Sequence, residues 1–274
     1  MKLKTLYGLL LGVVLASCDD ANMGNLFYTP CDVNTRFDQS MAYNQDHPID
    51  TLQVNSDDYA FWVCSDLHIE EQLPPYVSQF LQTANDGKAQ FIVYNGDLFH
   101  GQEAHAEYAA QVLHKESPLP SFYVAGNHDL YFGWELYQSR FGTSTYTAIV
   151  QTPSAKDLYI FLESASATLG QRQYEWLQGI LAKRGYYRHC FVFTHTNLIY
   201  QHITNGVFMR DEAHALYRLF SDHQVSAVFT GHSHVANHET LLGVTYITTG
   251  ALKDGELVRI QVEQKRLVEE FKQL

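Results

Sequence analysis

Basic residues are scarce in this chain: 18 lysines and arginines stand against 30 aspartates and glutamates, a formal net charge of −12 over 274 residues. Binding to a polynucleotide backbone runs on Lys and Arg, so this balance argues against nucleic acid as partner or substrate. Cysteine is sparse as well, at four residues. Cys64 and Cys190 fall inside strand-like runs, where a thiol behaves as a small buried hydrophobe, and once Cys18 is set aside the remaining three are an odd number for pairing, so no disulfide is expected. The apolar run from Leu6 to Ala16 is too short to cross a bilayer, and no internal repeat or low-complexity stretch is present. What remains is 46% hydrophobic and 18% charged, which suits one or two globular domains with a full core and excludes disorder.

Lys2 and Lys4 followed by that apolar run have the form of a secretory signal. The junction Leu15-Ala16-Ser17-Cys18 resembles a bacterial lipobox, which implies cleavage after residue 17, lipidation of Cys18 and an exported protein anchored in the bacterial cell envelope. Several acyl chains on one terminus exceed the threshold for stable membrane anchoring. Loss of the two lysines takes the formal charge to about −14. Residues 18–58, rich in Asn, Asp, Thr and Gln with little periodicity, read as a tether and irregular lead, and residues 59–274 as one catalytic domain.

From Tyr59 onward, strand-like and helix-like segments alternate, the pattern of an α/β fold. Apolar stripes at helical spacing lie on Pro75–Ala84, Glu103–Lys115, Gln171–Arg184 and Asp211–His223. Tyr146–Val150, Leu158–Glu163, Val244–Thr249 and Leu257–Val262 read as strands, with Asp254-Gly255 as a hairpin turn between the last two.

Five further strand-like runs each end in a polar cluster. Ala60–Ser65 leads into Asp66-Leu67-His68, Gln90–Asn95 into Gly96-Asp97, and Ser121–Ala125 into Gly126-Asn127-His128-Asp129. His189–Thr194 leads into His195, and Val225–Thr230 into Gly231-His232-Ser233-His234. In open α/β sheets, functional groups collect in the crevice at the carboxyl ends of the strands. Asp66 and His68 are two apart, so in an extended segment their side chains share one face and can grip one ion; His232 and His234 repeat the spacing. The glycines before these residues permit tight turns that aim successive side chains into one pocket. Nitrogen and oxygen donors without thiolate favour Mn, Fe or Zn in a working site over a structural zinc.

In the order and spacing of these five clusters, the chain from Tyr59 nearly to its end resembles the calcineurin-like metallophosphoesterases. That resemblance implies a two-layered β-sandwich flanked by helices, with a dinuclear metal centre at the strand ends. It implies that Asp66, His68 and His234 bind one divalent ion and Asn127, His195 and His232 a second. It implies further that Asp97 is the bridging carboxylate, whose two oxygens can each hold one ion. A metal-bridged hydroxide would then attack a phosphate mono- or diester of a small molecule, with His128 as the general acid and Asp129 orienting its ring. Asp129 has a second reading as a loop cap that satisfies backbone amides.

Where many relatives carry an acid three residues after the bridging aspartate, this chain has His100, either a solvent-facing loop residue or a part of the outer shell or substrate pocket. Tyr131, Phe132, Trp134 and Tyr137 could stack on a substrate or pack under their loop, and Arg210 could meet a phosphate or simply open a helix. Two competing functions are a metal-bound scaffold without turnover and a nuclease, the latter opposed by the acidic surface.

Overall fold

Strand residues that alternate between two apolar environments build a sheet buried on both faces, and this chain builds two. The computed structural model describes residues 31–85, 87, 89–199 and 208–274. The segment read as a secretory signal, and Cys18, lie outside the described residues. One sheet has five strands in the order β12 (Leu267–Gln273), β11 (Glu256–Val262), β2 (Tyr59–Cys64), β3 (Ala89–Asn95) and β4 (Ser121–Val124). The other has seven, in the order β1 (Leu52–Gln53), β5 (Tyr146–Gln151), β6 (Lys156–Leu162), β7 (Cys190–Thr194), β8 (Ala227–Thr230), β10 (Val244–Thr248) and β9 (Asn237–Leu241). The strands that lead to the polar clusters, β2–β3–β4 in one sheet and β7–β8 in the other, run parallel to their neighbours in those sets.

The sheets face each other across an aromatic layer. Phe61 of β2, Phe91 of β3, Phe161 of β6, Phe191 and Phe193 of β7 and Phe229 of β8 meet there, with ring centroids 4.9 Å apart for Phe61–Phe91 and 4.7 Å for Phe193–Phe229. The intervening residues point outward: Trp62, Cys64, Ile92 and Tyr94 pack under α2 (Pro75–Thr83), α3 (Glu103–Lys115) and α4 (Trp134–Phe141). On the other side Ile160, Cys190 and Val192 pack under α5 (Gly170–Leu181) and α6 (Arg210–Asp222). The result is helix–sheet–sheet–helix, the α/β architecture anticipated from the sequence.

Two sequence readings need correction. The lead segment is not irregular throughout: α1 (Val33–Asp46) is capped by Asp32, whose carboxylate accepts from Asn34 N (2.9 Å) and Thr35 N (3.3 Å). Its inward face is polar, with Arg36 donating to Glu163 at 2.8 Å while both are buried, and Gln39 bonded to Trp134 Nε1. The Asp254-Gly255 hairpin is also overturned, because β10 and β11 belong to different sheets. Leu252–Asp254 forms a single 3-10 turn that carries the chain from one sheet to the other, with Gly255 left-handed at φ 91°.

Candidate metal centre

At the carboxyl ends of β2, β3, β4, β7 and β8 the five clusters converge. Five of their side-chain bearers, Asp66, His68, Asp97, His232 and His234, adopt left-handed backbone with φ between 47° and 68°. Such a conformation costs a residue other than glycine on the order of 1–3 kcal/mol and persists only where its surroundings over-determine it. Backbone bonds supply that determination: Asp66 N donates to Gly96 O, His68 N to Asp97 O, and Gly231 N to His195 O, at 2.9–3.0 Å. The expected extended geometry of Asp66 and His68 is therefore replaced by two left-handed residues flanking the buried Leu67. Glycine is required where the loops touch. A Cβ on Gly96 would lie 2.4 Å from the His195 ring, and one on Gly126 2.2 Å from Asp97 Oδ1.

Among the described residues, the ligands expected from the sequence form two groups, and His68 also gathers with His100 and His128 in a third. Asp66, His68 and His234 make one, with Asp66 Oδ1 3.1 Å from His234 Nε2 and 3.8 Å from His68 Nε2. Asp97, His195 and His232 make the other, with Asp97 Oδ2 3.3 Å from His195 Nε2. Asp97 Oδ2 also lies 3.8 Å from His68 Nε2, so one oxygen faces both groups. Its Oδ1 accepts from His128 N at 2.9 Å. Asn127 Nδ2 donates to Tyr131 Oη at 3.3 Å, leaving its Oδ1 as the free donor atom.

Divalent ions fit this donor set. Asp66 Oδ1, Asn127 Oδ1, His195 Nε2 and His232 Nε2 are buried without an aligned hydrogen bond. Buried polar atoms are otherwise almost always satisfied, and four orphans of oxygen and imidazole nitrogen aimed at one space are what divalent cations take. Outer contacts hold these atoms in place: His195 Nδ1 donates to Asn95 O at 2.9 Å, which turns Nε2 toward the site. Asp66 Oδ2 accepts from His232 N at 3.0 Å and is also bonded to Ser65 Oγ.

Protonation follows from burial and charge. Burial lowers the pKa of His68, His128 and His232 to about 4 each, against the pull of Asp97, so all three are neutral at neutral pH. Burial acts the same way on His195, but Asp97 and Asp66 outweigh it and hold that ring up at about 10. In Asp97, burial is overcome by His195 and the carboxyl lies well below its usual range.

His128 stands at the edge of the centre, its Nε2 3.9 Å from Asp97 Oδ2. Asp129 does not orient it. His128–Leu130 is a 3-10 turn, which swings the Asp129 carboxylate back onto backbone amides: Oδ1 accepts from Leu98 N and Phe99 N, and Oδ2 from Gly126 N, at 2.8–3.1 Å. Burial first, then Asp97, pushes that carboxyl well above its ordinary value. The cap reading therefore replaces the dyad. The partner of the His128 ring is His100, with the two Nδ1 atoms 3.0 Å apart, and Tyr131 packs against the His128 ring at 4.4 Å between centroids. Trp134 and Tyr137 are fully buried and belong to the core, whereas Phe132 is exposed. Arg210 opens α6.

A cleft of about 450 Å³ leads into the centre, lined by His68, His128 and His234 together with Glu70, Gln72, His100, Leu73, Pro74 and Lys253. Lys253 carried no signal in the sequence, since it sits in a turn outside every motif. His100 had one, its spacing of three from Asp97.

A family model described as calcineurin-like phosphoesterase matches residues 59–236. Among solved structures, a dimetal phosphatase from Danio rerio is similar with a TM-score of 0.65 at 13% identity, over 78% of this chain and 96% of that one. A purple acid phosphatase from yellow lupin seeds gives a TM-score of 0.59 at 15% identity, over 80% of this chain and 52% of that one. GAP50, the anchor in the inner membrane complex of Plasmodium, gives 0.60 at 13% identity, over 80% and 85%. At these identities the likeness is one of fold. No curated protein sequence matches the chain significantly.

Proposed function

This chain belongs to the calcineurin-like phosphoesterase family, and from that premise we propose that it hydrolyses phosphate mono- or diesters of small molecules at a two-ion centre. The observation that carries the proposal is the set of orphaned donor atoms arranged in two groups around Asp97 Oδ2. Asp66, His68 and His234 would hold one ion, Asn127, His195 and His232 the other, and Asp97 both. When bound, two divalent ions such as Mn, Fe or Zn acidify water to a pKa of about 7 and neutralise charge on phosphate oxygens.

The remaining work falls to the chain's own groups. His128 presents Nε2 to the cleft while Nδ1 meets His100. With His100 donating at Nδ1, the His128 N–H resides on Nε2, where it can donate a hydrogen bond to the alcohol oxygen as the ester bond breaks. Tyr131 fixes the amide of Asn127 and packs on the His128 ring, so one side chain aligns both. Leu73 and Pro74 give the cleft an apolar wall against which the alcohol portion can rest.

Export and anchoring through a lipidated Cys18 belong to the same proposal, supported by the lysines, the apolar run and the lipobox-like junction of residues 1–18. A small phosphoester rather than nucleic acid is the substrate, in keeping with the net charge of −12.

The test compares p-nitrophenyl phosphate with bis-p-nitrophenyl phosphate, with added Mn and with chelator, alongside Asn127→Ala. Chelator-sensitive hydrolysis that disappears in the variant is expected. A protein that binds two ions yet turns over neither ester would instead be the scaffold.

A further inference from the structure

Lys253 occupies the middle of the 3-10 turn between β10 and β11, and backbone bonds stitch that turn to the ligand loop. Leu252 N donates to Ser65 O at 2.9 Å and Lys253 N to Asp66 O at 3.3 Å. The backbone of Lys253 is thus fixed to the residue that bears a candidate ligand, while its side chain, half-buried, lines the cleft beside His68 and His234. Among the described residues, no carboxylate stands within ion-pair distance of its ammonium. Glu70 lines the same cleft without forming an ion pair with Lys253, so the lysine is poised for an anion that arrives from outside.

We propose that Lys253 is the specificity-determining residue that selects a phosphate monoester dianion over a diester, a statement that rests on the phosphoesterase reading above. The two esters differ at one place. A monoester carries a third non-bridging oxygen and a second negative charge, where a diester carries another alkyl or aryl group. The ligand groups at the base of the cleft meet the features that both esters share. A cation set apart from those groups, with three N–H donors on a flexible stem, responds to the extra charged oxygen. The substrate class is therefore a small phosphomonoester whose alcohol portion lies along Leu73 and Pro74, in a cleft of about 450 Å³.

The experiment uses the full chain loaded with Mn, as wild type, Lys253→Met and Lys253→Arg. Calorimetry reads the affinity for inorganic phosphate and for dimethyl phosphate, and kinetics read KM and kcat on the mono- and bis-p-nitrophenyl esters. Only the backbone N–H of Lys253 is bonded to the ligand loop, so either substitution keeps that link, and equal melting temperatures would verify the fold. Lys253→Met is expected to weaken inorganic phosphate, and to raise KM for the monoester, on the order of 10- to 100-fold, the worth of a hydrogen bond between charged groups. Dimethyl phosphate and the diester should be unaffected, and Lys253→Arg should restore most of the loss. Unchanged phosphate affinity in Lys253→Met, or equal losses for both classes, would overturn the assignment. Wild type that turns over neither ester but binds phosphate through Lys253 would defeat the hydrolase reading and leave this anion site standing. Wild type without preference for phosphate over dimethyl phosphate would defeat the Lys253 assignment alone.

Discussion

The two candidate ion sites share Asp97 but differ in their exposure to water. In the group of Asp66, His68 and His234, the histidine side chains are 10% and 33% exposed, and both line the open cleft. In the group of Asp97, His195 and His232, His232 is half-buried but the His195 ring is fully buried and locked to the backbone of β3 through Asn95 O. One site is a rim and the other a floor. A rim ion can exchange by the motion of two side chains, whereas removal of a floor ion exposes charges that have no access to solvent. The difference teaches that seven similar ligands need not give two equivalent ions.

Substitution of a histidine from each group is the strongest way to break this comparison. His195→Ala should lower turnover by about 10³-fold and leave less than one ion per chain, because Asp97 then loses the partner that holds it low, whereas His234→Ala should keep one ion. Metal content by mass spectrometry and turnover on a p-nitrophenyl ester check both, and equal stoichiometry in the two variants would erase the distinction. A smaller effect isolates the rim. Ser65 Oγ bonds Asp66 and also meets Thr249 Oγ1 at 2.8 Å, so Ser65→Ala should weaken metal affinity about 10- to 100-fold at the rim site alone. A competitive chelator titration would then show two steps spread further apart than in wild type.

The gentlest probe is pH applied to the metal-free protein. His68, His128 and His232 have folded pKa values near 4, below the ~6.5 of an unfolded chain, so the folded state binds fewer protons and stability falls as pH drops from 6.5 to 4. His195 has the opposite sign. Raised to about 10, it contributes stability that is full below pH ~6.5 and lost as pH rises through 10. Melting temperature should therefore peak between these limbs, and His195→Asn should flatten the alkaline limb while sparing the acid one.

The central strands were legible in the sequence because both their faces are buried: Phe61, Phe91 and Phe193 point to the sandwich interior while Trp62, Ile92 and Val192 point to the helices, giving unbroken apolar runs. The edge strands β9 and β12 have no fully buried position and mix polar residues with a few partly exposed apolar ones, so no apolar run marks them. Helix α1 escaped notice because its buried positions are Arg36 and Ser40, held by Glu163 and by Ser144 Oγ at 3.2 Å, and hydropathy registers neither. At the centre, ligand identity could be read from residue type and spacing, since a carboxylate or imidazole at a strand end has few other uses. Outer contacts could not. Asp129 beside His128 resembles a dyad until the 3-10 turn turns its carboxylate away, and only three-dimensional packing reveals that His100 takes its place.

Helix α1 also sets a length. Had residues 18–58 all been free chain, the catalytic body could sit roughly 140 Å from a lipid at Cys18. With folding already under way at Asp32, whose side chain caps the helix, only the stretch between Cys18 and Asp32 can serve as leash, roughly 50 Å at full extension. Under the proposed anchoring, that leash would keep the start of α1 within roughly 50 Å of the membrane surface.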